Sequence, residues 1–494
     1  MHDYAKLTRR RLLTGLGGAL AAAGVTAARL PRGHAEEASS DPADRRLLFV
    51  VCAAGGGSII DSFMPVATTE VPEDVDASIL NVYSESQLFT PEGSNIRCVR
   101  PLDDTLFLTP GYSIQQFLTD HYTDMTVVGH EVTSVNHNVA QKRAMTGAGI
   151  NRGRTIAEAV AERYGLDLPL ANCNMGNGGY VEPGDDATLL ARARAEIISD
   201  PRTYAVATHG SRGVAGGLSL EQVTRARSVR EQLEGVSPFG ITYRDAPRRS
   251  QYLYNRTEIA PQLESMDAIT KLMLLDPSGL SGDFDLEASP MLDALRQVFP
   301  LLDGDNWHQQ GALAFLLSYY GMSCANTLAL SFNPSFDGDE ITGAPLAFDF
   351  SHTAHRPAQN VMWGRVLQIV SGLVKLLKAF DYMGDPALGK MWDRSLIYVA
   401  TEFGRDKLRP SGGSSTYGTG HHLNNGTVLL SPMLQGNRVF GGVDPSTLLT
   451  YGFDTGTGEP LPGTVLREGE IYSAIAQALG IDFTGRRDMS ALMI

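Results

Sequence analysis

Cysteine is scarce in this chain, four residues in 494, and none of Cys52, Cys98, Cys173 and Cys324 stands in a CxxC or zinc-finger spacing. That pattern argues against a thiolate metal site, and the four are expected as buried small hydrophobes. Positive charge is also short: 41 Lys and Arg face 55 Asp and Glu, for a formal net charge of −14. Nucleic acid is therefore not an expected partner, because binding a phosphate backbone needs a basic surface. Beyond the N-terminal region no stretch offers about 18 consecutive apolar residues, so no stable membrane span is expected once that region is removed. Internal repeats are lacking too, as are low-complexity tracts outside the N-terminal region.

What is present begins with Thr8-Arg9-Arg10-Arg11-Leu12-Leu13, followed by the mildly apolar stretch Gly15 to Ala28 and the cleavage-like triplet Gly33-His34-Ala35. A charged region, a short Gly- and Ala-rich apolar region and a small-residue cut site are the parts of a twin-arginine export signal. The reading is a signal over residues 1–35, a periplasmic or extracellular protein, and about 459 residues after a cut near Ala35. That route carries folded cargo, which suits an enzyme that acquires a metal before export. Residues 36–45 are polar and read as a disordered lead-in.

The folded part is expected over 46–494. Arg46 to Ala53 is a continuous apolar run ended by Gly55-Gly56-Gly57, the pattern of a strand buried on both faces. Similar runs recur at Met125 to Gly129, Tyr204 to Thr208, Thr327 to Phe332, Ser395 to Thr401 and Thr427 to Ser431. Between them, Thr155 to Tyr164, Ala187 to Ile198, Leu218 to Leu233, Leu313 to Tyr320, Val361 to Met383 and Ile471 to Leu479 carry helical periodicity. Strands alternating with helices predict an α/β fold with a mostly parallel central sheet and helices on both faces. A helical insertion is expected around 219–318, where strand signals are few.

In such sheets ligands lie beyond the carboxyl ends of the strands, and that rule selects three sets of loops. The first, Gly55 to Phe63, offers Ser58 and Asp61 after flexible glycines; it is neither GxGxxG nor a P-loop. The second, Thr401-Glu402-Phe403-Gly404-Arg405, places a carboxylate and a guanidinium in one turn, where they would serve a site or pair with each other. The third is the histidine-rich pair of loops with Asp349, His352 and His355 in one and His421-His422 in the other, holding four of the chain's 11 histidines. Adjacent histidines seldom both face one ion. Asp61, Asp349, His352, Glu402, His421 and His422 together match the mixed nitrogen and oxygen donors of a divalent metal: zinc, manganese, calcium or iron. His137, beside Asn136, follows the Val127-Val128 strand; it would bind an oxyanion or the metal, or else sit at the N-cap of a helix over Val139 to Met145.

The motifs GGGSIIDSF after the first strand, NHNVAQKRAMTG from Asn136, TEFGR at Thr401, and HH followed by VLLS and Arg438 to Gly442 resemble those of the bacterial family of domain of unknown function 1501. The resemblance runs from about Leu47 to the helix over Tyr472 to Leu479. It implies a three-layer α/β/α sandwich of the alkaline phosphatase and sulfatase superfamily, whose members hydrolyse phosphate or sulfate esters at one or two metals. In that frame the nucleophile would be Ser58, Thr133 or Ser134, and Arg405 would offset transition-state charge. Ser58 stands where many members have Asp, His421-His422 replaces an Asp-His pair, and Asp349 to His352 is one residue longer than an Asp-Thr-His motif. Fewer carboxylates favour one ion over two, or none. Two expectations follow: an exported metal-dependent hydrolase of small-molecule esters, or a non-catalytic relative binding a cell-envelope ligand or a protein partner.

Overall fold

The computed structural model describes residues 41–101, 111–147, 153–176, 178–208, 219–275, 287–330, 335–336, 339–340, 347–410 and 417–494, all within one unit, Ser39–Ile494. The expected export signal lies outside the described residues.

Eight strands form the central sheet: β1 Leu47–Ala53, β2 Met125–Glu131, β3 Asn172–Asn174, β4 Glu196–Ile197, β5 Ala325–Leu330, β6 Ser395–Thr401, β7 Asn424–Leu430 and β8 Arg438–Phe440. Their spatial order is β8-β2-β7-β6-β1-β5-β3-β4. All seven residues of β1 are buried, as a strand with protein on both faces requires. It pairs in parallel with β6, Ala53 beside Thr401, and with β5 on its other edge. β7 alone runs against its neighbours, antiparallel to both β6 and β2. Because the chain leaves the end of β6 and returns to begin β7 at the same edge, both connecting segments stay there. The carboxyl ends of β1, β2, β3, β5 and β6 and the start of β7 thus share one rim, the rim on which a mostly parallel sheet builds its sites.

Five of the six helices expected from periodicity are present, as α1 Ile156–Tyr164, α2 Leu220–Val236, α3 Asn306–Tyr319, α4 His355–Ala379 and α5 Glu468–Ala478. Thr155 and Glu158 close a reciprocal capping box that starts α1. α4 packs on β1 and α3 on β5 within a single large apolar core. The described residues between 219 and 318 hold helices and no strand. All four cysteines are free and buried.

Two expectations fail. Tyr204 to Thr208 is a short helix, Tyr204–Ala207, rather than a strand; five apolar residues carry no period long enough to tell the two apart. Ala187 to Ile198 is not a helix but a 3-10 turn, Ala191–Ala193, followed by β4, which completes the sheet edge beside β3. The Asp186 side chain accepts from both Thr188 N and Oγ1, and this local turn competes with helix formation. β3 itself, Asn-Cys-Asn, has no apolar signal to betray it.

Candidate functional site

Four loops on the rim bring together His137, Asp349, His352, Glu402, Arg405 and His421. Asn136 caps the short helix His137–Ala140, its side chain accepting from Val139 N at 3.3 Å, so His137 occupies the first helical position and faces the rim. The helix-start reading of that segment therefore holds, with the helix beginning at His137 rather than at Val139. Asp349 and His352 sit on the 3-10 turn Ala347–His352, where a spacing of three stacks side chains on one side. His421 and His422 form a two-residue strand against Gly404–Arg405, with His421 opposite Arg405. Alternation along a strand sends His421 to the cluster and His422 away from it. His422 instead accepts through Nδ1 from Asn424 N at 3.1 Å.

Ligand atoms of His137, Asp349 and His421 all lie within 4.8 Å of one another. Asp349 is 3.6 Å from His137 Nε2, 3.8 Å from His421 Nε2 and 3.9 Å from His352 Nε2. Ligands about 2.1 Å from a tetrahedral ion stand about 3.4 Å apart, so these separations need only a small contraction around a first-row metal. The tautomers fit as well. His421 Nδ1 meets only the Val135 carbonyl, at 3.1 Å, and must donate; His137 Nδ1 meets Glu402 Oε2 at 2.5 Å and donates there. With the proton held on Nδ1, each ring would have its Nε2 lone pair available to an ion beside Asp349. His352 Nε2 lies 2.9 Å from His421 Nε2 at the exposed side of the cluster.

Glu402 is wholly buried, and its Oε2 meets His137 Nδ1. Its Oε1 accepts from Tyr180 Oη at 2.9 Å, Gln141 Nε2 at 3.0 Å and Gly55 N at 3.1 Å. With both oxygens engaged by donors, this carboxylate orients an imidazole rather than facing the ion position itself. Tyr180 carries no motif, and Gln141, though it lies within NHNVAQKRAMTG, is not singled out there; the π turn Gln141–Met145 that presents Gln141 is not visible in periodicity.

Arg405, also fully buried, donates from Nε to Gly56 O at 3.1 Å and from Nη2 to Phe348 O at 2.9 Å, to Gly55 O and to Asp349 Oδ1 at 3.3 Å. Its guanidinium ties three loops together and holds the ligand-like carboxylate. Gly55 and Gly56 have φ of 93° and 83°, and a Cβ on Gly56 would come within 2.5 Å of the Phe403 ring. Gly56→Ala is expected to destabilise the protein by about 1–3 kcal/mol through left-handed strain and this clash; urea unfolding checks it, and an unchanged midpoint would refute the packing.

Burial opposes the Asp349 charge, yet His421, His137 and Arg405 hold its carboxyl below the usual range. Burial likewise opposes protonation of His137, but Glu402 and Asp349 outweigh it and raise the imidazole. For His352 burial and the Arg405 charge act together, lowering it.

Asp61 and Ser58 lie apart from this cluster, in a second polar network that is buried. Ser58 Oγ donates to Asp61 Oδ2 at 2.5 Å, and His355 Nε2 lies 3.2 Å from the same oxygen. Oδ1 accepts from Asn81 Nδ2 at 2.5 Å and from Tyr83 Oη at 3.2 Å. His355 Nδ1 meets Thr419 Oγ1 at 2.9 Å. Each Asp61 oxygen thus has two partners. Ser134 serves its own turn, Oγ accepting from Asn136 N at 3.1 Å, while Thr133 Oγ1 donates to Glu468 at 2.9 Å. The cluster therefore includes Asp349, His352, His421 and His137, with Glu402 and Arg405 supporting them; Asp61, Ser58, His355, His422, Ser134 and Asn136 stand outside.

Among known proteins, no family model matches this chain, and no curated protein matches it. One solved structure, described as Ps i-CgsB in complex with k-i-k-neocarrahexaose, aligns at 10% identity over 76% of this chain and 68% of that chain, with a TM-score of 0.28. A likeness of that degree carries no argument about this chain. The class established by the fold is a mixed α/β protein with an eight-stranded, mostly parallel sheet. No helix among the described residues is long and apolar enough to cross a membrane.

Proposed function

We propose that this chain is an exported, metal-dependent hydrolase of phosphate or sulfate esters, built on a three-layer α/β/α sandwich like that of alkaline phosphatases. The observation that carries the reading is the convergence of His137 Nε2, Asp349 and His421 Nε2 within 4.8 Å at the carboxyl rim of the sheet. Three protein ligands with an open side toward solvent are the arrangement of a catalytic rather than a structural divalent site. These three residues would hold the ion, with His352 beside them. A bound zinc or manganese ion supplies Lewis acidity toward an ester oxygen and toward water.

The chain's own groups would do the rest. Glu402 keeps the Nδ1 proton of His137 in place, so that Nε2 remains a donor of its lone pair. Arg405 fixes Asp349. His352, whose side chain is 46% exposed, would give a proton to a leaving oxygen from the outer side of the cluster.

A binding-only protein is the second reading. It is favoured by Ser58, one of the three candidate nucleophiles, and Arg405, the expected charge stabiliser, being occupied by Asp61 and by backbone carbonyls. Assaying nitrophenyl phosphate and nitrophenyl sulfate with zinc, manganese or calcium separates the two. Hydrolysis is expected to need metal and to fall at least about 100-fold in Asp349→Ala. Metal uptake without turnover of either ester would leave the binding-only reading.

A further inference from the structure

Helix α2 presents its faces the wrong way round for a helix that packs on a core. None of its described residues is buried. On the side toward the body it is held by charge: Arg227 Nη1 donates to Glu264 Oε2 at 3.1 Å, and Glu234 accepts from Arg256 and, at 3.1 Å, from Tyr252 Oη. The apolar side faces out. Ala226, Val229, Leu233 and Val236 follow a 3–4 spacing that forms one continuous stripe, with exposure rising from 49% at Val229 to 73% at Val236. The exposed apolar run continues past the helix in Phe239, Ile241 and Tyr243, each more than half exposed. Soluble surfaces seldom leave so many large apolar side chains in 15 residues unaccompanied.

Charge says what would cover them. Arg225 and Arg230 flank the stripe on the same face, and exposed Arg244 follows, in a chain whose formal net charge is −14. A second copy packed in parallel would set Arg225 against the other copy's Arg230, since these are the positions that flank a two-helix seam. An apolar stripe edged with arginine and followed by aromatic residues is the composition of a helix that lies in the headgroup region of an anionic bilayer. From this geometry we infer that α2 and the turn after it form a peripheral docking surface for anionic phospholipid. Val229, Leu233, Val236 and Phe239 enter the acyl boundary while Arg225 and Arg230 meet phosphates. The surface is independent of the metal cluster, and it would keep the protein at a membrane that none of its described helices crosses.

The four native cysteines are buried, so a single Val236→Cys substitution accepts an environment-sensitive dye selectively. The readout is local, which matters in the full chain because its basic, apolar N-terminal stretch would itself seek a bilayer. With vesicles of phosphatidylcholine and phosphatidylglycerol the emission should shift to the blue, and pure phosphatidylcholine should give little change. Raising salt from about 0.05 to about 0.5 M should weaken the response at least several-fold. Arg225→Glu with Arg230→Glu, and separately Leu233→Ser, should each weaken it about tenfold or more, with melting temperature unchanged because these side chains are exposed. Three results would overturn the inference: no blue shift on anionic vesicles, an equal shift on neutral ones, or a shift that grows with protein concentration in the absence of lipid. The last would assign the face to a second copy of the chain.

Discussion

Asp61→Asn is expected to destabilise the protein by about 1–3 kcal/mol, the cost of leaving a buried hydrogen-bond donor without its acceptor. The carboxylate is 4% exposed and takes two donors on each oxygen. An amide in its place would turn an NH2 toward groups that donate, leaving at least one of Ser58, Asn81, Tyr83 and His355 unpaired. Burial alone would raise the Asp61 carboxyl, but the charge and hydrogen bond of His355, then Lys407 and Ser58, bring it down to about 2. A folded value below the unfolded value of about 3.9 means stabilisation that is complete above about pH 4 and is lost as pH falls toward 2. The difference corresponds to about 2–3 kcal/mol. Urea unfolding at pH 7 and pH 3 is the check. Wild type should lose stability between the two, and the Asn variant should start lower and lose less. A variant as stable as wild type at pH 7 would show that the network does not hold the first loop.

Zinc or manganese is expected to raise the melting temperature of wild type by several degrees. Chelation should reverse the rise. An ion that binds only the folded chain adds about 2.7 kcal/mol at 100-fold excess over its Kd. His421→Ala should abolish the increment and His422→Ala should keep it. The two histidines are neighbours of the same chemical type, and only strand alternation separates them. Equal loss in both variants would mean that the two-residue strand does not present its side chains in this way.

Much of the architecture is written in local pattern. The apolar runs of β1 and β6 end at Gly55 and Glu402, and parallel pairing of those strands places both ends at one rim. The histidine loops are equally visible, being two short stretches with four imidazoles. What local pattern does not contain is which way each side chain turns once the rim is built. Asp61 and Glu402 both follow a buried strand, yet neither faces the proposed ion: Asp61 is enclosed by Asn81, Tyr83 and His355, and Glu402 by Tyr180, Gln141 and Gly55. Those donors come from segments far away in the chain, so no spacing rule reveals them. His137, in contrast, is legible as an oxyanion or metal candidate or as a helix start, and it joins the cluster because Asn136 ends the loop and starts a helix at that point. The misread segments Tyr204 to Thr208 and Ala187 to Ile198 are short or at the sheet edge, where tertiary pairing overrides weak periodicity.

Equilibrium dialysis of metal-stripped protein against zinc or manganese, with elemental analysis of what remains bound, tests the three-ligand site most directly. About one ion per chain is expected for wild type and for His422→Ala, and almost none for His137→Ala, Asp349→Ala or His421→Ala. A wild-type chain that retains no ion, or an Asp349→Ala chain that retains as much as wild type, would contradict it.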